Sequence, residues 1–203
     1  GGHIALGDRI DVAVPTGNFG NIFAAFLAKK MGLPLGMLLC ASNRNHVLTD
    51  FFERGVYDRN RPFYTTISPS MDILISSNLE RLLFLIAGPE RTAAYMESLA
   101  KTGTYRLSDE DFAEVRRHFV GMYTDEEDTR KTIRETYEKQ NYLTDPHTAV
   151  ALCAARQYEM TRKAERKLLV VSTASPYKIA KDVTYALTDS ESPEGMEAAD
   201  RLH

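Results

Sequence analysis

The chain has 203 residues, 43% of them hydrophobic and 26% charged, with 25 Lys plus Arg against 28 Asp plus Glu for a net charge of -3. That length supports one domain with a sizeable core or two small ones, the hydrophobic share excludes wholesale disorder, and the near-balance of charge argues against nucleic-acid binding. No apolar run reaches the roughly 18 residues of a membrane span, residues 1–8 carry no signal-peptide pattern, and two cysteines are too few for a disulfide framework, so a reducing cytoplasmic setting is expected.

In chain order, residues 10–16 (IDVAVPT) form the first expected strand. A helix follows, on which Phe19, Phe23, Phe26 and Leu27 recur at helical spacing and which Gly32 ends. Residues 35–41 (LGMLLCA) are the second strand, and Val47, Leu48, Phe51 and Phe52 stripe a second helix that ends at Gly55. Residues 63–67 (FYTTI) read as a third strand. The middle of the chain, residues 70–162, reads as mostly helical, with capping boxes at Ser77/Glu80 and Thr124/Glu127 and a related pattern at Ser108/Asp111. Asp145-Pro146 and Ser175-Pro176 each open a helix with proline in its first turn. Between them residues 167–173 (KLLVVST) form a fourth strand, expected to join the same sheet. The first, second and fourth strands are almost continuously apolar, as parallel strands covered on both faces are. The expected fold is α/β, a small, mostly parallel sheet flanked by helices, over residues 1–188. The polar tail, residues 189–203, contains Pro193 and Gly195 and is expected to be loose, with one short helix.

Two motifs sit where a buried strand gives way to a helix. The first is Gly17-Asn18-Phe19-Gly20-Asn21. Its glycines allow close backbone approach, and the free amides and dipole of the helix start suit an anion, so this loop can hold a phosphate without Lys or Arg. An ordinary strand-to-helix turn explains the same residues equally well. Neither G-x-G-x-x-G nor a P-loop pattern is present. The second motif is Ser172-Thr173-Ala174-Ser175-Pro176. Ligand crevices of parallel sheets lie at the carboxyl ends of strands, so the two motifs are expected to meet; a Thr173 hydroxyl there could exchange a bond with a heterocyclic nitrogen, while a helix cap, with Ser175 as the cap residue, accounts for the motif as well. His3, His46, His118, His147 and His203 have no paired spacing that suits zinc. Cys40 and Cys153 lie in apolar contexts that suit core packing better than nucleophilic chemistry.

The runs VPTGNFGNIFAAFLAKKMGLP, CASNRNHVLTDFFERGVYDRN, TTISPSMDILISSNLERL, TDPHTAVA and STASPYK, in this order, resemble the threonine synthase family over nearly the whole chain. The resemblance implies the fold of the fold-type II pyridoxal-phosphate enzymes. It also implies conversion of O-phosphohomoserine and water to threonine and phosphate. It assigns Gly17, Asn18, Phe19, Gly20 and Asn21 to the cofactor phosphate and Thr173 to the pyridine nitrogen. Asn78 and Arg81 become candidates for the substrate phosphate, and His147, in TDPHTAVA, is either close to the cofactor crevice or packed on the sheet. The family's Schiff-base lysine lies upstream of the glycine-rich loop, but the sixteen residues before Gly17 contain no lysine. Lys178 matches a family lysine with a different role. The chain therefore resembles the C-terminal part of the enzyme, with no catalytic residue assigned and no activity expected alone. The missing N-terminal part is its expected partner, and no metal, nucleic acid or membrane is expected. Strand 10–16 is expected to have lost neighbours and to leave an associating surface with Phe23 and Phe26. Two other readings are compatible with the motifs: another fold-type II lyase such as threonine deaminase, and a non-catalytic phosphate-binding α/β module.

Overall fold

A computed structural model describes residues 3–162, 165–190, 196–200 and 202. Its central sheet has four parallel strands in the order β5-β2-β1-β6: β1 (Ile10–Pro15), β2 (Leu35–Ser42), β5 (Phe119–Tyr123) and β6 (Leu168–Val170). A second sheet pairs β3 (Val56–Asp58) antiparallel with β4 (Thr104–Arg106). The helices are α1 (Gly20–Lys30), α2 (Val47–Arg54), α3 (Leu79–Thr102), α4 (Asp109–Arg116), α5 (Glu126–Gln140), α6 (Pro146–Thr161), α7 (Ala180–Thr188) and α8 (Met196–Asp200).

Strand alternation explains the two layers around the sheet. Val12, Val14, Leu38 and Cys40 point to one face and pack with Phe19, Ile22 and Phe26 at α1, with Phe51 and Phe52 of α2, and with Leu82 and Leu83 of α3. On the other face, Ala13 and Leu39 meet Ala155, and Ala41 meets Val150, Ala151 and Ala154 of α6. Small side chains on both partners let α6 lie close to the sheet.

Several sequence expectations shift. Strands 10–16 and 35–41 form within a residue of their expected ends, and both are buried almost throughout. Segment 63–67 pairs with no strand. Its backbone bonds to side chains instead: Tyr64 exchanges bonds with the Asn45 amide, the Thr66 amide donates to Asp72, and the Ile67 amide donates to Glu126. The fourth strand covers only Leu168–Val170 and is an edge, with Leu169 exposed, so it is not covered on both faces. Strand β5 was hidden because Phe119-Val120-Gly121-Met122-Tyr123 follows the polar, charged α4 without a turn signal.

Strand β1 is interior, bonded to β2 on one side and β6 on the other, so the expectation of an open edge at 10–16 is wrong. Phe26 is buried and Phe23 half-buried. The open edges belong to β5 and β6.

Caps follow the sequence in part. Gly55 ends α2 in the left-handed region, Ser108 accepts from the Asp111 amide, and Asp145 caps α6. The α5 cap is Asp125 rather than Thr124, because the Thr124 hydroxyl is committed to the Val150 carbonyl. The α3 cap position is Asn78 rather than Ser77, and its side chain turns away to the Asn18 carbonyl. Ser175 occupies a cap position before the 3-10 turn Pro176–Ile179 but makes no side-chain cap bond. Pro193 and Gly195 of the tail lie outside the described residues.

Candidate functional site

Strands β1 and β6 are parallel neighbours, so the loops that leave their carboxyl ends share one cleft. That cleft encloses about 250 Å3 and is lined by Pro15 to Ile22, Ser70, Met71, Asn78, His147, Thr173 and Ala174. The two motifs that lie about 150 residues apart in sequence therefore meet.

The loop between β1 and α1 has a definite shape. Thr16 ends the strand by donating its amide to Ala41 and its hydroxyl to Val14. Phe19 takes a left-handed conformation, φ 65° and ψ 10°, which is costly for a bulky side chain. Its ring offsets that cost by burial against Phe52 and Phe119, at centroid distances of 5.8 and 5.5 Å. The loop is thus pinned from below by an aromatic anchor. Carbonyls are held as well: Asn78 donates its amide and side chain to the Asn18 carbonyl, at 3.3 and 2.8 Å, and the Ser76 hydroxyl donates to the Gly17 carbonyl at 3.1 Å. The amides of Gly17 to Asn21, by contrast, donate to no protein acceptor among the described residues. Several free N–H groups and the α1 dipole converge on a lining without Lys or Arg.

The opposite wall is the 3-10 turn Pro69–Met71. It is tied to the β2 side through Asp72, which accepts from the side chains of Asn43 (2.8 Å), Asn45 (3.0 Å) and Thr66 (2.7 Å) and from the Thr66 amide (2.9 Å). Ser70 donates its amide to His147 Nε2 at 3.2 Å. The other ring nitrogen of His147 lies 3.1 Å from Asp145 Oδ1. Burial alone would raise the Asp145 carboxyl, but bonds from the His147 side chain and from the hydroxyl and amide of Thr148 outweigh it and hold the group below the usual carboxylate value.

Thr173 lies on the cleft rim, exposed, and its hydroxyl has no hydrogen-bond partner among the described residues. Asn78 lines the cleft, while Arg81, one helical turn further on, is exposed and outside the lining. Cys40 is fully buried in β2, and burial pushes its thiol up to about 12, so it is no nucleophile at neutral pH.

No protein-family model matches the chain. It is 39% identical over 193 residues to "Threonine synthase-like 1" of Homo sapiens, covering 94% of this chain and 26% of that protein. It is 39% identical over 176 residues to the threonine synthase of Pseudomonas aeruginosa, covering 86% of this chain and 37% of that one. The crystal structure of pyridoxal-phosphate-bound threonine synthase from Brucella melitensis superposes with a TM-score of 0.86 at 34% identity, over 97% of this chain and 42% of its own length. Over most of its length the chain is similar in sequence and fold to a part of these threonine synthases.

The chain spans between 25% and 40% of the length of the curated relatives it matches. Its sheet and flanking helices are those of the fold-type II enzymes. Sequence reasoning missed the Ser70 wall and the Asp72 network as parts of the site. Their signal was present in the runs ASN and TTISPSMD, where polar residues cluster between apolar elements and call for buried partners. No helix among the described residues is long and apolar enough to cross a membrane.

Proposed function

We propose that this chain is the cofactor-holding part of a threonine synthase that uses pyridoxal 5'-phosphate to convert O-phosphohomoserine and water to threonine and phosphate. The supporting observation is the set of free amides at residues 17–21, converging on the same cleft as Thr173. These residues fit the cofactor. The amides of Gly17, Asn18, Phe19, Gly20 and Asn21 offer a phosphate several donors without a desolvated counter-charge. The Thr173 hydroxyl, exposed on the rim, is the proposed partner of the pyridine nitrogen, and a neutral hydroxyl leaves that nitrogen without a proton. When bound, the cofactor stabilises the carbanions on which elimination and hydration depend.

This chain's own groups bind and orient. Phe19 fixes the loop, Asn78 and Ser76 hold its Asn18 and Gly17 carbonyls, and the turn Pro69–Met71 walls the cleft on the far side. Asn78 and Arg81 are the proposed contacts of the substrate phosphate: Arg81 brings the charge, and Asn78 couples that end of α3 to the loop. Proton transfer requires a base, and the lining holds no lysine. We assign that base to the lysine that relatives carry upstream, so the N-terminal part of the enzyme is the partner that completes the site. On this reading residues 1–188 are part of the cofactor-binding domain and residues 189–203 a tail. A cytoplasmic location goes with the biosynthetic role.

Titration with pyridoxal 5'-phosphate, followed by cofactor fluorescence, is expected to saturate and to be competed by inorganic phosphate. The chain alone is expected to release phosphate from O-phosphohomoserine at less than about 10⁻³ of the rate of the longer protein that carries it. Absence of saturable binding would overturn the cofactor reading. A stoichiometric pyridoxyl-lysine on this chain after borohydride reduction would overturn the assignment of the base.

A further inference from the structure

We propose that His147 is a positioning residue that sets the geometry of the anion cup through the Ser70 amide. The identity of the anion rests on the functional reading above; the geometry does not. His147 and Asp145 are 4% and 1% exposed at the first turn of α6, under the cleft. The Ser70 amide donates to His147 Nε2 at 3.2 Å, so that nitrogen carries a lone pair and the ring proton sits on Nδ1. Nδ1 faces Asp145 Oδ1 at 3.1 Å, which fixes this tautomer and the plane of the ring. Asp145 is itself held at both oxygens. Oδ1 also accepts the amides of His147 (2.9 Å) and Thr148 (3.2 Å), and Oδ2 accepts the Thr148 hydroxyl (2.5 Å).

A helix cap needs only the two amides. The additional bond to the imidazole carries the rigidity of α6 across the cleft to the turn Pro69–Met71. That turn touches the cup. The Ser70 carbonyl oxygen would lie 2.5 Å from a Cβ on residue 17, and Met71 Cα would lie 3.1 Å from it. A shift of a few tenths of an ångström in the turn therefore moves the Gly17 backbone, whose carbonyl is held at the same end by Ser76. Asp72 anchors the turn from the β2 side and His147 from the α6 side, so the cup sits between two fixed points.

The test compares His147→Phe, which keeps a planar ring but accepts no hydrogen bond, with His147→Gln, which restores an acceptor. In the ligand-free chain, His147→Phe is expected to displace the ¹H–¹⁵N resonances of residues 17–21, and His147→Gln to leave them near their wild-type positions. Affinity for pyridoxal 5'-phosphate should fall by about tenfold in His147→Phe and stay within about threefold in His147→Gln, while affinity for pyridoxal, which lacks the phosphate, is unchanged in both. Ser70→Pro deletes the same bond from the donor's side at an exposed position and should reproduce the loop displacement, which keeps the test decisive if His147→Phe does not fold. Unmoved loop resonances in His147→Phe, or equal losses in the Phe and Gln variants, would overturn the positioning role. If the wild-type chain binds no pyridoxal 5'-phosphate, the cofactor reading falls, and the ligand-free resonances still decide the role of His147.

Discussion

A Cβ at position 17 would stand 2.5 Å from the Ser70 carbonyl oxygen, and that atom belongs to backbone held by Asp72 on one side and His147 on the other. The wall cannot yield without breaking one of those ties. Gly17→Ala is therefore expected to weaken pyridoxal 5'-phosphate binding by about tenfold or more while lowering stability by only about 1–3 kcal/mol, the usual cost of overpacking. Equilibrium urea unfolding beside a fluorescence titration separates the two effects, and an alanine variant with wild-type affinity would show that the wall gives way. Asp145 makes a different prediction. Its folded value lies below the usual 3.8, so its contribution to stability is complete above that value and is lost as pH falls through the depressed one. Asn also caps helices well. The stability gap between the wild type and Asp145→Asn should thus be constant from neutral pH down to about 5 and close progressively below about 4. A gap that widens on acidification would contradict the sign.

Within α3, the backbone at Gly88 has φ 80° and ψ 173°, a region that side-chain-bearing residues almost never enter, and Pro89 follows it. The helix is two helices joined at that residue, with the Thr92 hydroxyl donating to the Gly88 carbonyl at 2.8 Å. An alanine Cβ there would meet only a glutamate oxygen 4.0 Å away, so packing opposes nothing. Gly88→Ala is nonetheless expected to cost about 1–3 kcal/mol through the backbone alone, measurable as a lowered urea midpoint with an unchanged slope. The elements were legible wherever local chemistry acts alone. The apolar runs of β1 and β2, Gly55 after α2, Ser108 before α4 and Asp145-Pro146 before α6 all behave as their sequences require. They were misread where tertiary bonds compete. Thr124, expected to cap α5, spends its hydroxyl on Val150, and the α3 cap expected at Ser77 falls on Asn78, whose side chain goes to Asn18. Residues 63–67 are aromatic and β-branched, as strands are, yet Asn45, Asp72 and Glu126 take the backbone bonds that a neighbouring strand would have made. For the site, the loop Gly17–Asn21 and Thr173 announce themselves through glycines and a strand end. The Ser70 wall depends on a network between the loop after β2, the start of α6 and a 3-10 turn; the polar runs ASN and TTISPSMD signal buried partners there but not which residues pair.

At the scale of the whole molecule, the sheet divides the site between unequal strands. β1 is interior, bonded on both sides and buried over nearly its full length, and it carries the phosphate loop. β6 is a three-residue edge, bonded only to β1, half-exposed, and it carries Thr173. Local opening free energies follow such differences in burial and pairing. Native-state hydrogen exchange is therefore expected to rank the amides of residues 12–14 and 38–41 as the most protected and those of residues 168–171 as much faster. A ligand that bridges residues 17–21 and Thr173 would link the two strands, because it binds the closed edge and not the frayed one. Saturating pyridoxal 5'-phosphate should then slow exchange in residues 168–171 more than in 38–41, where opening is already limited by the core. Equal protection of β6 and β1 without ligand would mean that the edge is held by more than its three paired residues. Slowing confined to residues 17–21 would mean that Thr173 takes no part in holding the ligand.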